Sequence, residues 1–222
     1  MGLNNCYFLI PARKGSKGMP LKNRKLFDYT VQSFPPEYYD KIYVSTDDEI
    51  LKLRAQEIGV QFIHRPKHLG QDETSMKDVV KHFIKSQNIG CNATIILLYL
   101  TYPERTWTDI ETIYNHFQSR PEKSLVCCEE VEEHPYLCFY EKDDSKAEIL
   151  VDHKFYRRQD YPKCIRMSMF VACYQADIID ELHDLMFEEN SIFYKLAHHK
   201  VDVDYLEQFL QVNEGTLNKN GK

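Results

Sequence analysis

Short apolar runs alternate along the chain with longer stretches in which apolar positions recur every three or four residues, a rhythm that predicts βαβ units feeding a mostly parallel sheet. CYFLI, from Cys6, reads as a strand ending at Pro11, and a glycine- and lysine-rich loop follows to Asn23. A helix is predicted over 26–34, stopped by Pro35 and Pro36. KIYVST, from Lys41, is the second strand, with Thr46 or Asp47 capping a helix that carries Ile50, Leu53 and Ile58 and ends at Gly59. VQFI makes a third strand, and a helix over 76–86 presents Val79, Val80, Phe83 and Ile84 on one face. ATIILLYL, from Ala93, has the continuous apolar character of a central parallel strand, followed by a helix over 109–117 and a buried strand, SLVCC. The expected class is therefore α/β, a sheet flanked by helices.

Residues 129–163 break that rhythm with acidic turns and alternating segments such as YLCFY and AEILV, which predicts a small antiparallel excursion. The strand MFVACY, a helix over 176–186, a short strand HKVDVD and a helix over 206–212 return to the main body. The division that follows is a main domain of 1–128 and 164–214, an excursion over 129–163 acting as a dimerisation or acceptor flap, and a flexible tail over 215–222.

Composition narrows the options. The 222 residues are 43% hydrophobic with a formal net charge of -6, which disfavours nucleic acid as a partner, so an anionic ligand must meet a local basic cluster. The seven cysteines show neither C-x-x-C nor zinc spacing and read as reduced core residues. The chain opens directly into a strand without a signal-peptide pattern, and no run approaches the ~18 apolar residues of a membrane span. A cytoplasmic protein without membrane contact is expected.

The loop between Ile10 and Asn23 delivers Arg13, Lys14, Lys17 and Lys22 beside Gly15 and Gly18. Glycines let successive backbone N–H groups face one concavity while the cations neutralise a polyphosphate. Spacing alone leaves both a phosphate cradle and a solvated turn open, and the Walker pattern and G-x-G-x-x-G are absent.

R-x-G-S-K-G-x-P-x-K-N after an I-P-A strand resembles the opening of the CMP-sialic acid synthetase (acylneuraminate cytidylyltransferase) family, related to the 3-deoxy-manno-octulosonate cytidylyltransferases. The later order is similar too: YVSTDDEI from Tyr43, HRPKHLGQDETS from His64, T-x-P-x-R-T-x-x-D-I from Thr101, R-R-Q-D-x-P from Arg157 and V-D-V-D from Val201. The resemblance implies a Rossmann-like nucleotidyltransferase sheet and transfer of CMP from CTP to an acidic sugar, a nonulosonic or similar ulosonic acid, with release of pyrophosphate. It implies that Arg13, Gly15, Ser16, Lys17 and Lys22 hold phosphates, with Asn23 beside the nucleotide and Arg65 and Asp72 near the cytidine. Arg13, Lys17 and Asp202 carry the catalytic expectation.

Asp202 and Asp204 alternate along the expected short strand and correspond to the family's D-x-D metal site. Mg²⁺ is the natural occupant because it is commonly held by one or two carboxylates together with substrate phosphates. On the residues alone the pair reads as an acidic strand end or, for Asp204, a helix cap. Asp47 and Asp48 sit at a helix start, where carboxylates suit the macrodipole, and are assigned to structure. His198 and His199 are assigned to structure rather than ligation.

On the acceptor side the resemblance points to Tyr99, Arg105, Arg158, Gln159 and Phe170, and the excursion implies a homodimer. The chain departs from the family there. Tyr99 stands at the family's glutamine, T-Y-P-E-R replaces T-S-P-L-R, and Ser168-Met169-Phe170-Val171-Ala172 replaces a glycine-containing strand. The alternatives are a nucleotidyltransferase with another acceptor or nucleotide, and a catalytically silent nucleotide-binding homologue.

Overall fold

Strand β1 (Cys6–Pro11) buries Phe8 and Ile10 in one layer and Leu9 in another, so both of its faces are covered. That is the physical meaning of its unbroken apolar run. The structure, a computed structural model, describes residues 5–15 and 18–219. Ser16 and Lys17, both expected in the phosphate loop, lie outside the described residues.

Along the chain follow α1 (Lys22–Gln32), β2 (Ile42–Thr46), α2 (Glu49–Ile58), β3 (Gln61–His64), α3 (Met76–Ser86), β4 (Thr94–Leu97), α4 (Trp107–Gln118) and β5 (Ser124–Glu130). Then come β6 (Phe139–Glu141), β7 (Ala147–Ile149), β8 (Ile165–Gln175), β9 (Ile192–Lys195) and α5 (Leu206–Lys219). A seven-stranded sheet runs β3-β2-β1-β4-β8-β5-β9, and β8 lies antiparallel to both of its neighbours. The hairpin β6-β7 forms a separate two-stranded sheet, as the broken rhythm of 129–163 suggested. Helices α1, α2 and α4 cover one face through Leu26, Phe27, Leu51, Ala55, Ile110 and Ile113. Helix α3 covers the other through Val80 and Phe83.

From β1 the chain steps outward to β2 and β3, then returns to place β4 on the opposite side of β1. Strand order reverses there. The loops leaving β1 and β4 diverge and open a crevice at the carboxyl ends of the parallel strands, where such sheets gather ligands.

Several local expectations are corrected. Helix α1 begins at Lys22 rather than 26, because Leu21 adopts a left-handed turn (φ 59°) that starts the helix early. Asp48, not Thr46 or Asp47, caps α2: its carboxylate accepts from the Ile50 amide at 3.0 Å, while Thr46 Oγ1 accepts from the Asp48 amide. The helix expected over 176–186 is a single 3-10 turn, Ala176–Ile178, followed by turns. Tyr174 donates to the Met186 carbonyl and Lys77 to the Leu182 carbonyl, so side chains from β8 and α3 hold this stretch in its irregular path. HKVDVD is not a strand; the edge strand is β9, earlier in the chain and parallel to β5. Helix α5 runs on through Gly215 to Lys219, where a tail was expected.

Asp48 is 3% exposed and receives both Nε (2.7 Å) and Nη2 (3.0 Å) of Arg24. Burial alone raises its pKa, but the hydrogen bonds from Arg24 and from backbone amides outweigh this and hold the carboxyl below its ordinary value of 3.8. Removing the cap in Asp48→Ala is expected to cost about 2 kcal/mol, roughly 4–8 °C in Tm for a chain of this size. A folded-state pKa below the unfolded one stabilises above the unfolded value, and the gain is lost as pH falls through the folded value. Thermal scans should therefore show the gap between wild type and variant full at neutral pH and closing only below pH 3.8; a gap already closed at pH 5 contradicts the assignment.

Candidate functional site

After β1 the chain is pinned before it enters the loop. The Ala12 amide donates to the Ser45 carbonyl at 2.9 Å, and the Lys14 amide donates to the Asp47 carboxylate at 2.7 Å. The Asn23 side-chain amide donates back to the Arg13 carbonyl at 2.7 Å, closing the loop on the first turn of α1. That turn contains no acidic residue and its N-cap, Leu21, offers no side-chain cap; Lys22 and Arg24 stand there instead. Cations at a helix N-terminus oppose the macrodipole, whereas an incoming anion would suit both dipole and cations. Sequence reading placed Lys22 and Asn23 in a loop and missed this; the signal was the absence of any Ser, Thr, Asp or Asn immediately before them.

The loop, α1 and the ends of β3 and β4 line one cleft of about 320 Å³, bordered by Arg13, Gly15, Lys22, Asn23, Arg65 and Tyr99 among others. Arg13 pairs with Asp72 at its rim. Arg65 forms part of the cleft wall, 3% exposed, with Nε donating to Ser45 Oγ (3.2 Å) and Nη2 to the Ser45 carbonyl (3.0 Å). Burial pulls its pKa down to about 10, Asp47 opposes this, and Arg13 adds to the depression, so the guanidinium is still charged at neutral pH.

The same cleft reaches the chain's far end. Lys22 Nζ lies 2.7 Å from Asp204 Oδ1, an ion pair between residues 182 apart in sequence. Asp204 sits in the irregular segment before α5, tied to the β4 extension by the Val203 amide donating to the Thr101 carbonyl at 2.8 Å. Val203 is buried while Asp202 and Asp204 on either side are exposed, so the two carboxylates share the outward side without any strand. Gln208 Oε1 accepts from the Asp204 and Tyr205 amides at 2.7 and 2.8 Å, so its side chain, rather than that of Asp204, caps the start of α5. A Cβ built at Gly18 would stand 2.5 Å from the Asp204 carbonyl oxygen, which shows why glycine is needed there: the loop presses against this segment. Asp202 accepts from the Tyr102 hydroxyl at 3.1 Å, a contact the sequence did not disclose.

The acceptor-side residues fare differently. Tyr99 lines the cleft. Arg105, 2% exposed, is a strut: Nη1 donates to the Phe170 carbonyl (2.6 Å) and Nη2 to the Tyr99 carbonyl (2.8 Å). The β5–β8 register shifts at this point, with Val126 facing Ala172 and Cys127 facing Ser168, and Arg105 serves the carbonyl that falls between. Phe170 is fully buried, edge-on to Tyr102 and beneath Lys200, so its side chain belongs to the core rather than to an acceptor surface. Arg158 and Gln159 are exposed on a 3-10 turn of the excursion, Arg158 lying 3.8 Å from Glu133, and they do not border the cleft.

Among the described residues no cluster of three or more His, Cys, Asp or Glu side chains is placed to hold an ion. The donor set is Asp204, which lines the cleft beside the cationic loop, and Asp202, exposed two residues before it. That fits Mg²⁺ shared with a ligand's phosphates and does not fit a self-contained metal cage. His199 instead bonds Glu129 (2.7 Å) and Arg166 (2.9 Å). Four cysteines, Cys6, Cys127, Cys128 and Cys173, are buried, and burial pushes the Cys6 and Cys127 thiols up to about 11 and 12.

This architecture, a doubly wound α/β sheet with its cleft at the strand-order switch, is that of solved nucleotidyltransferases. A CMP:2-keto-3-deoxy-manno-octonic acid synthetase complexed with CTP superposes with a TM-score of 0.68 at 14% identity, over 97% of this chain and 100% of that one. A 4-diphosphocytidyl-2C-methyl-D-erythritol synthase from Anaerococcus prevotii gives 0.64 at 11% identity, over 97% and 100%. Residues 7–214 match the family model described as cytidylyltransferase, and the chain belongs to that family. It is 30% identical to the pseudaminic acid cytidylyltransferase of Campylobacter jejuni over 90% of both chains. It is also 29% identical to an N-acylneuraminate cytidylyltransferase of Streptococcus agalactiae over 92% of this chain and 51% of that protein; the chain spans about half the length of the streptococcal relatives. Among the described residues no helix is long and apolar enough to cross a membrane.

Three substitutions separate the roles of the framework. Gly18→Ala must displace the Asp204 backbone and is expected to cost about 1–3 kcal/mol, whereas Gly15→Ala, with nothing within 4 Å of its added methyl, should leave the denaturation midpoint unchanged. Arg105→Lys keeps the charge but cannot span both carbonyls, and about 2–3 kcal/mol should be lost in denaturant titration; wild-type stability would contradict the strut.

Proposed function

We propose that this chain is a magnesium-dependent cytidylyltransferase that transfers CMP from CTP to an acidic sugar, a nonulosonic or similar ulosonic acid, and releases pyrophosphate. The observation that carries this reading is the meeting of Lys22 and Asp204 at 2.7 Å, which brings the basic loop and the Asp204 carboxylate to one cleft, with Asp202 exposed two residues before it. Family membership and the names of the relatives support the nucleotide and the class of acceptor.

In this reading Arg13 and Lys22 bind the triphosphate, with Lys17 joining them on the strength of the sequence resemblance. The uncapped start of α1 adds its dipole to the same anion. Arg65 and Tyr99, at the ends of β3 and β4, enclose the nucleoside end of the cleft. Asp202 and Asp204 would hold Mg²⁺, which when bound supplies positive charge to the phosphoryl oxygens and the leaving pyrophosphate. The acceptor oxygen attacks the α-phosphorus in line, its bond to phosphorus forming as the bond to the bridging oxygen of pyrophosphate breaks. Little covalent help is required of the protein, since positioning and fixed charge carry most phosphoryl transfer.

With Phe170 buried and Arg105 committed to backbone carbonyls, acceptor recognition falls to Tyr99 and to groups outside the cleft. The excursion supports a second copy as their source: Phe139, Tyr140, Ile149 and Tyr156 are exposed apolar side chains on it. Light scattering on the purified chain should give the mass of a dimer, and a monomer at micromolar concentration contradicts that part of the reading.

Turnover decides the activity. Pyrophosphate release, measured with each nucleoside triphosphate, Mg²⁺ and a panel of acidic sugars, is expected only with CTP and one subset of the sugars. Lys22→Ala and Asp202→Ala should each reduce the rate by about 10²–10³. Release with no combination, or undiminished rates in both variants, rejects the proposed enzyme.

A further inference from the structure

Two of the chain's departures from the family pattern meet in space. Tyr102 occupies the second position of T-Y-P-E-R, and Ser168 opens the segment that replaces the glycine-containing strand. Ser168 Oγ donates to the Tyr102 hydroxyl at 3.4 Å, and that hydroxyl donates onward to Asp202 Oδ2 at 3.1 Å. The ring is 4% exposed and packs edge-on against Phe170, with centroids 5.5 Å apart at 87°, so it has no freedom to turn away. One residue along, the Val203 amide donates to the Thr101 carbonyl. Two consecutive residues of the β4 extension thus hold two consecutive residues of the carboxylate segment, one through backbone and one through a side chain.

We propose that Tyr102 is a positioning residue that orients the Asp202 carboxylate for a divalent cation, an inference that rests on the nucleotidyltransferase reading of the cleft. An exposed aspartate on an irregular segment ordinarily samples several rotamers. A buried donor on Oδ2 selects one of them. Partners of this kind, bonded to a ligating carboxylate, set its direction and basicity, and their loss typically weakens metal binding by 10- to 100-fold.

The probe is Mn²⁺, titrated into the full chain saturated with CTP and followed by the paramagnetic resonance signal of the free ion. Tyr102→Phe keeps the ring and its packing and removes only the hydroxyl. It is expected to weaken Mn²⁺ binding by about 10- to 100-fold while CTP binding in EDTA, read by calorimetry, stays at the wild-type value. In an Asp202→Asn background the same change should have no further effect on Mn²⁺, because the two residues act as one unit. Wild-type Mn²⁺ affinity in Tyr102→Phe, additive losses in the double variant, or an equal loss of metal-free CTP binding would each overturn the inference. Failure of the wild-type chain itself to bind Mn²⁺ with CTP would overturn the nucleotidyltransferase reading as well, which keeps the two failures distinguishable.

Discussion

A lysine on the first turn of α1 and an aspartate just before α5 are held 2.7 Å apart, and the geometry of the cleft depends on that contact. Neither partner is placed by its own element alone. Lys22 is delivered by a loop pinned to β2 at Ala12 and Lys14, and Asp204 by a segment stitched to the β4 extension at Val203 and to α5 at Gln208. Gly18 lets the two strips of backbone touch. With the Asp204 carboxylate largely exposed, the pair contributes little to stability. Its significance is that a cation and a carboxylate wait on opposite sides of the same crevice, each compensated by the other, where a phosphate and a divalent ion could replace them.

The fold explains why that crevice lies where it does. Strand order reverses between β1 and β4, and three of the residues that line the crevice follow the carboxyl ends of parallel strands: Arg13 after β1, Arg65 after β3 and Tyr99 after β4. Antiparallel β8 closes the other half of the sheet, and its register shift opposite β5 supplies the carbonyl that Arg105 grips. Arg105 thereby joins the β4 extension to β8 beneath the cleft, so the two halves of the sheet are fastened at the level of the site.

Much of this was legible in the sequence, and the parts that were not have physical reasons. Strands β1, β2 and β4 announced themselves because burial on both faces demands unbroken apolar runs, and α3 because its Val79, Val80 and Phe83 repeat is strict. Strand β9 was missed because an edge strand of four residues half-exposed on alternate positions carries little pattern. The helix expected over 176–186 gives way to a 3-10 turn and irregular chain, which Lys77 and Tyr174 hold by hydrogen bonds to the Leu182 and Met186 carbonyls. At the site, Arg13, Lys22, Arg65 and Asp204 were picked by motif order and do share one cleft. Phe170 and Arg105 were picked by the same reasoning and turn out to be framework, since motif position says nothing of which way a side chain faces once a register shift intervenes. Tyr102 could not have been found from spacing, because its partner is 100 residues away and on a segment with no regular structure.

The central claim is that one ligand spans the basic loop and the carboxylate pair. A crystal structure of the chain grown with CTP and Mg²⁺ tests it most directly. The account predicts triphosphate density against Lys22 and the start of α1, with the ion bound by Asp202 and Asp204 and the Lys22–Asp204 contact opened to admit both. Nucleotide bound elsewhere, or bound here with the ion pair intact and the aspartates unengaged, would contradict it.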